Sequence, residues 1–220
     1  MNDIIYCNDK HCQAIFNCSI SPTVILNDIM KLSKIATINT GFQSRTRVES
    51  QKDGSYFLLQ ARDVDGENLT YQTGSLIRFN PEKHDRAGIL QKDDILFMAR
   101  GARNYSVLLD EIQGFTLAAA CFFIVRATSE KLLPAYLCWY LSQPPVEHYL
   151  VRHSGRGVHM PVVRKSVLEK LEIPLPTLKI QLKIVALETL RREEAGLVRQ
   201  LIEKRKQLIT TLCMNRIGEK

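Results

Sequence analysis

The chain has 220 residues, 45% of them apolar and 24% charged, ordinary globular values that exclude a disordered or collagen-like protein. Lys and Arg number 30 against 23 Asp and Glu, a formal net charge of +7, and this favours an anionic partner such as nucleic acid or a membrane surface. No stretch approaches the roughly 18 apolar residues of a membrane span, since the longest apolar run, Phe115 to Val125, stops at Arg126.

The N-terminus lacks a basic region followed by an apolar core, so no export signal is expected. The six cysteines (Cys7, Cys12, Cys18, Cys121, Cys138 and Cys213) then read as reduced thiols of a cytoplasmic protein. Cys7, His11, Cys12 and Cys18 cluster, but they form no CxxC pair and have no second half downstream, so no metal site is expected.

Residues 1–28 read as an N-terminal extension, either an added strand or a loosely ordered arm, with net charge −2 from Lys10 against Asp3, Asp9 and Asp28. Ile29 to Asn39 has the length of a helix, with Asn27 or Asp28 as N-cap and Gly41 as a left-handed exit. A polar basic loop follows at Gln43 to Arg47. Tyr56 to Gln60 reads as a buried strand that leads into a turn from Arg62 to Gly66. Further strands are expected at Leu76 to Phe79, at Ile95 to Ala99 after a polar turn at Asp93-Asp94, and once or twice within Phe115 to Val125. Leu133 to Leu141 has helical spacing with Pro134 in its first turn, and Pro144 and Pro145 close it. A short apolar stretch surrounds Leu168 and Leu171, and the prolines of Ile173-Pro174-Leu175-Pro176 then impose an extended segment.

Lys179 to Asn215 contains no proline and one glycine, Gly196. Its apolar residues recur with helical period, which predicts one helix of roughly 55 Å. Such a helix has no core of its own to cover and needs a partner helix. Leu190, Leu197, Leu201, Leu208 and Leu212 are the expected interface. From residue 179 onward there are ten basic and five acidic residues, which make either a solvated basic face or part of an anion-binding surface. The expected class is α+β: a globular mixed domain over 29–178, then a coiled-coil-like helix over 179–220.

Catalytic motifs are missing from the pattern. His11, His84, His148, His153 and His159 form no HExxH pair, and there is no GxSxG elbow, no phosphate loop and no GxGxxG. Adjacent carboxylates such as Asp93 and Asp94 would point to opposite faces of a strand and would not converge on one ion. No enzyme activity is expected. Binding signals are better. Basic loops alternate with the apolar strands and offer Gln43, Arg45 and Arg47, then Arg62, then Arg100, Arg103, Asn104 and Tyr105, and finally Arg152, His153, Ser154, Arg156 and His159. Arginine forks, amides and hydroxyls are the donors that base edges and phosphates require. A lone arginine of this kind can equally be a solvated surface charge. In the last two loops, however, donors crowd around glycine with no acidic residue between them. Arg126 and Arg191 lie outside these loops and serve as comparisons.

The order of features then becomes recognisable: Lys31-Leu32-Ser33-Lys34-Ile35-Ala36 before Gly41-Phe42, the 56–60 strand with Arg62-Asp63-Val64, Lys92 to Phe97 before Gly101, and Ile173-Pro174-Leu175-Pro176 opening the long helix with Gln181 and Ile184. From about residue 29 to 216 the chain resembles the DNA-specificity (S) subunit of type I restriction–modification systems, with one target-recognition domain and one spacer helix. Two departures stand out. Asp93-Asp94 replaces the family's usual Gly-Asp pair, and Ile180-Gln181 replaces Glu-Gln, which predicts the loss of a polar contact at the helix start.

The resemblance implies a non-catalytic, half-length subunit that pairs with a second copy into an antiparallel homodimer. Each recognition domain would read one part of a split duplex DNA site, and the helix would set the spacing and dock methyltransferase (M) subunits. Those subunits would bring S-adenosylmethionine and methylate adenine, and a restriction (R) subunit could join them; the chain itself would hold no cofactor. The rival readings are a free-standing DNA-binding regulator and a metal-dependent nuclease.

Overall fold

A computed structural model describes residues 28–44, 48–74, 76–81, 88–153 and 162–218. The N-terminal extension apart from Asp28, and the candidate residues Arg45, Arg47, Ser154, Arg156 and His159, lie outside the described residues. In chain order the elements are β1 (Asp28–Lys31), α1 (Leu32–Ile35), β2 (Ala36–Thr40), β3 (Tyr56–Leu59), β4 (Val64–Asp65), β5 (Thr70–Tyr71), β6 (Ile77–Phe79), β7 (Ile95–Met98), β8 (Ser106–Leu108), β9 (Phe115–Ala118), β10 (Phe122–Ala127), α2 (Pro134–Leu141), α3 (Pro144–His153), α4 (Lys165–Glu169), β11 (Glu172–Leu175) and α5 (Leu178–Gly218). The architecture is mixed α and β with a long C-terminal helix.

The centre is a four-stranded sheet in the order β2-β10-β7-β8, antiparallel throughout. Its middle strands are buried on both faces, so they read in sequence as continuous apolar runs rather than alternating ones. Ile95 and Phe97 of β7, with Phe123 and Val125 of β10, face a helical layer containing Leu137, Leu141, Val146, Leu150 and Leu168. Leu96 and Met98, with Phe122 and Ile124, face the opposite way onto Leu59, Val64 and Leu109. A three-stranded sheet, β6-β3-β9, holds Leu58, Phe79 and Leu117 in a smaller cluster.

The expected helix over 29–39 is instead two strands joined by a single helical turn. β1 pairs with β11, Asp28 opposite Leu175 and Lys31 opposite Glu172, while β2 pairs with β10. Leu32 and Ile35 are three apart and both buried, which suits the one turn between the strands but misleads when extended to eleven residues. Gly41 is not a left-handed helix exit. A Cβ there would lie 2.1 Å from the Ala119 carbonyl oxygen, so glycine is needed for close backbone approach. Pro144 and Pro145 do more than end α2, because Pro144 opens α3, where a missing N–H costs nothing. Arg152 and His153 therefore occupy the last turn of α3 rather than a loop. β8 and the small β4–β5 hairpin went unread because each is too short to show a period.

The Asp93-Asp94 turn is a structural joint. Asp93 adopts φ +67°, the left-handed region where the related pattern has glycine. Asp94 is fully buried, accepts from the Gln91 N–H at 2.8 Å, and receives both Nε (2.6 Å) and Nη2 (2.7 Å) of Arg126. Arg126 is thus the half-buried ion-pair partner of a buried carboxylate, not a neutral comparison residue. Gln181, which this chain shares with the related Glu-Gln pattern, makes a polar contact at the start of α5. Its side chain is fully buried. Its Nε2 donates to the carbonyls of Lys131 and Pro176, both at 2.8 Å, and its Oε1 accepts from the Leu133 N–H at 2.9 Å.

Candidate nucleic-acid interface

Several connections converge on the turn between β9 and β10. Phe42 N–H donates to Ala118 O at 2.7 Å, Ala119 N–H to Leu59 O at 2.8 Å, and Ala99 N–H to Cys121 O at 2.8 Å. The segments after β2, β3 and β7 are thereby laced to one rim, which brings Gln43, Arg62, Arg100 and Arg103 onto neighbouring loops from distant stretches of sequence. Gln43, Arg62, Arg100 and Arg103 are exposed.

Each loop has a local cause. A capping box closes the 3₁₀ turn Ala61–Asp63: Gln60 N–H donates to Asp63 Oδ2 at 2.8 Å and Asp63 N–H returns to Gln60 O. Asp63 is buried by this role while Arg62 is pushed outward, with Nε 3.7 Å from the Asp63 carboxylate. Between β7 and β8, Asn104 Nδ2 donates to Met98 O at 2.8 Å and Arg103 Nη2 to Gly66 O at 2.6 Å. The Tyr105 ring packs so closely on Gly66 that a Cβ there would lie 2.6 Å from it, and burial raises the Tyr105 hydroxyl pKa. Arg103 and Tyr105 thus hold the β4–β5 hairpin beside the 100–105 loop, while Asn104 closes that loop onto the end of β7. Asp65, within that hairpin, accepts from Asn68 and Glu67, and hydrogen bonds led by the Asn68 N–H hold its carboxyl below the usual range.

Arg100 joins the interface to the segment that follows α3. It forms an antiparallel bridge with Val162, and Val163 N–H donates to Ala99 O at 2.9 Å. Arg152 and His153 stand apart on α3. His153 Nδ1 lies 2.8 Å from Tyr149 O, with the two rings 4.3 Å between centroids. Among the described residues no hydrogen bond ties either side chain to the rim.

A cavity of about 580 Å³ flanks Arg62, lined by Phe42, Val48, Leu58 and Ile77 and by Ser44, Glu49, Ser50 and Gln60. Sequence reading missed Glu49, Ser50 and Gln60 because isolated polar residues carry no periodic signal.

Helix α5 begins docked and ends free. Ile184 and Val185 pack against the helical core layer. Glu188 receives Arg191 and Arg192, both at 2.8 Å; these bonds, led by that of Arg191, pull its carboxyl down to about 2. From Leu197 to Ile217 every residue is exposed. Leu190, Leu197, Leu201, Leu208 and Leu212 are between 56% and 67% exposed. At 3.6 residues per turn they fall within about 60° of helix circumference, a single stripe.

The sequence profile of the type I restriction modification DNA specificity domain matches residues 26–204. Among curated protein sequences nothing matches. A structure from work on complex assembly and conformational transition of the type I R-M system is similar at 20% identity and TM-score 0.61, over 82% of this chain and 42% of that one. The HsdS subunit from Thermoanaerobacter tengcongensis is similar at 20% identity and TM-score 0.54, over 78% of this chain and 39% of that one. The type I restriction–modification S subunit from M. genitalium is similar at 16% identity and TM-score 0.50, over 82% of this chain and 42% of that one. This chain therefore spans about two-fifths of the length of the solved chains it resembles, and the shared feature is the fold. Because the profile covers most of the chain, this protein belongs to the type I restriction modification DNA specificity domain family.

Proposed function

We propose that the chain is the DNA-reading, non-catalytic component of a type I restriction–modification complex in the cytoplasm. The globular part would read one half of a bipartite duplex site with donors on the rim that carries Arg62 and Arg100. The helix would set the distance to the second half and pair with the helix of a second copy, antiparallel, so that the two reading faces sit at opposite ends. Methyltransferase subunits would dock on this assembly and supply S-adenosylmethionine for adenine methylation, and a restriction subunit would add cleavage of unmodified DNA.

The observation that carries this reading is the coupling of a basic loop rim to a 41-residue helix whose apolar stripe lies bare. An exposed stripe of that length is an aggregation liability unless a partner covers it. Homodimerisation is favoured over a regulator's helix-turn-helix use because a helix about 60 Å long exceeds what a recognition helix needs. The test is co-expression with a methyltransferase of this class, followed by mapping of methylated adenines. Methylation at one recurrent bipartite sequence supports the reading. Light scattering that finds a monomer at micromolar concentration would remove the pairing.

A further inference from the structure

The charges on α5 are sorted along its length. Its acidic residues are Glu188, Glu193, Glu194 and Glu203, and Lys204-Arg205-Lys206 is its densest basic run. Glu188 is taken by Arg191 and Arg192. Glu194 and Arg205 are exposed, and among the described residues neither has a salt bridge. At about 100° per residue, Glu194 falls inside the leucine stripe and Arg205 about 20° beyond its edge, with Lys204 flanking the opposite edge. A charge in a helix–helix seam selects one register, because a slid alternative leaves it unpaired against apolar neighbours.

In an antiparallel pair of copies, the leucines and these charges share one centre, level with Arg199. Leu190 then faces Leu208 of the second copy, Leu197 faces Leu201, Leu187 faces Leu212, and Glu194 faces Arg205, each within one residue of equal height. Symmetry repeats the ion pair on the other side of the centre. Sliding one copy by a turn sets Glu194 against Leu201 or Leu208, and Arg205 against Leu190 or Leu197. A parallel pair in register sets Arg205 against Arg205 and Glu194 against Glu194, and like charges so placed repel. Past Leu212 the match ends, because Lys183 would face Arg216, so the seam runs for about 38 Å.

We propose that reciprocal ion pairs between Glu194 of one copy and Arg205 of the other fix the polarity and register of the helix pairing; the proposal rests on the dimeric reading above. This register holds the two Gln181 anchors about 55 Å apart. The experiment compares the full wild-type chain with Glu194→Arg, Arg205→Glu and the double variant by sedimentation equilibrium at about 0.1 M salt. Both positions are exposed, so the reversals leave the fold of each copy intact. Each single reversal sets two like-charged pairs in the seam and should weaken pairing by about tenfold. The double variant restores both attractions and should pair within about threefold of wild type. At about 1 M salt, where the screening length falls to about 3 Å, the four chains should converge. Single variants that pair as well as wild type, or a double variant as weak as the singles, overturn the register while the dimer and DNA reading stand. A wild-type chain that stays monomeric at tens of micromolar removes the register and the pairing together.

Discussion

Replacing Gln181 tests how the spacer helix is joined to the recognition domain. Its amide satisfies three backbone groups at once, the carbonyls of Lys131 and Pro176 and the Leu133 N–H that precedes α2. Gln181→Leu keeps the side-chain bulk and removes all three bonds without opening a cavity. At about 0.5–1.5 kcal/mol net for each bond, the loss of three sums to about 1.5–4.5 kcal/mol. Gln181→Glu should cost more at neutral pH, because a carboxylate oxygen would face two carbonyl oxygens. Its folded-state pKa would be raised above the ordinary Glu value of about 4.3, so stability falls as pH rises through that value and is largely recovered below it. Urea titrations of wild type and both variants, at pH 4 and pH 7, read these differences from the midpoints. A Leu variant within about 0.5 kcal/mol of wild type, or a Glu variant with no pH dependence, would refute the joint.

Arg126→Ala removes the forked guanidinium contact from the buried Asp94 carboxylate, and should lower stability by about 3–5 kcal/mol in thermal or urea unfolding. At Asp93, whose φ is positive, Gly should lie within about 1 kcal/mol of wild type, whereas Val should cost about 1–2 kcal/mol. The Glu188 carboxyl is depressed from 4.5 to about 2, so its stabilisation is complete above pH 4.5 and lost as pH falls toward 2. Wild type and Glu188→Gln should therefore differ by about 0.5 kcal/mol at pH 6 and converge near pH 2 in helix unfolding monitored by circular dichroism. Arg62→Ala or Arg100→Ala should weaken selected-DNA binding by about 1–3 kcal/mol if the residue reads a base, or flatten the salt slope by about one if it contacts phosphate.

What could be read from the sequence was whatever repeats over many residues. The long helix is legible because its apolar period runs for ten turns without proline, and the β7 and β10 strands because burial on both faces makes unbroken apolar runs. The 28–40 region was misread because its identity comes from distant partners. β11 lies more than 130 residues away and β10 more than 80, and only pairing with them separates two strands from one helix. The same holds for the rim. Arg62 and Arg100 could be nominated one by one, but the hydrogen bonds that place them together pass through backbone groups of residues 118–121. Arg126 shows the converse, a surface-like arginine whose buried partner, Asp94, is 32 residues distant.

The most direct test of the division of labour lengthens α5. Seven residues of helix-forming sequence inserted at Gly196, where an added side chain would meet only open space, make about two turns. They extend the helix by about 10 Å while nearly preserving the direction of the apolar stripe. On duplex DNA at about 3.4 Å per base pair, that is about three pairs. Methylated sites are mapped for the inserted chain and for wild type with the same methyltransferase. Unchanged half-sequences separated by a gap longer by about three base pairs are the predicted result. Altered half-sequences at an unchanged gap would contradict the account.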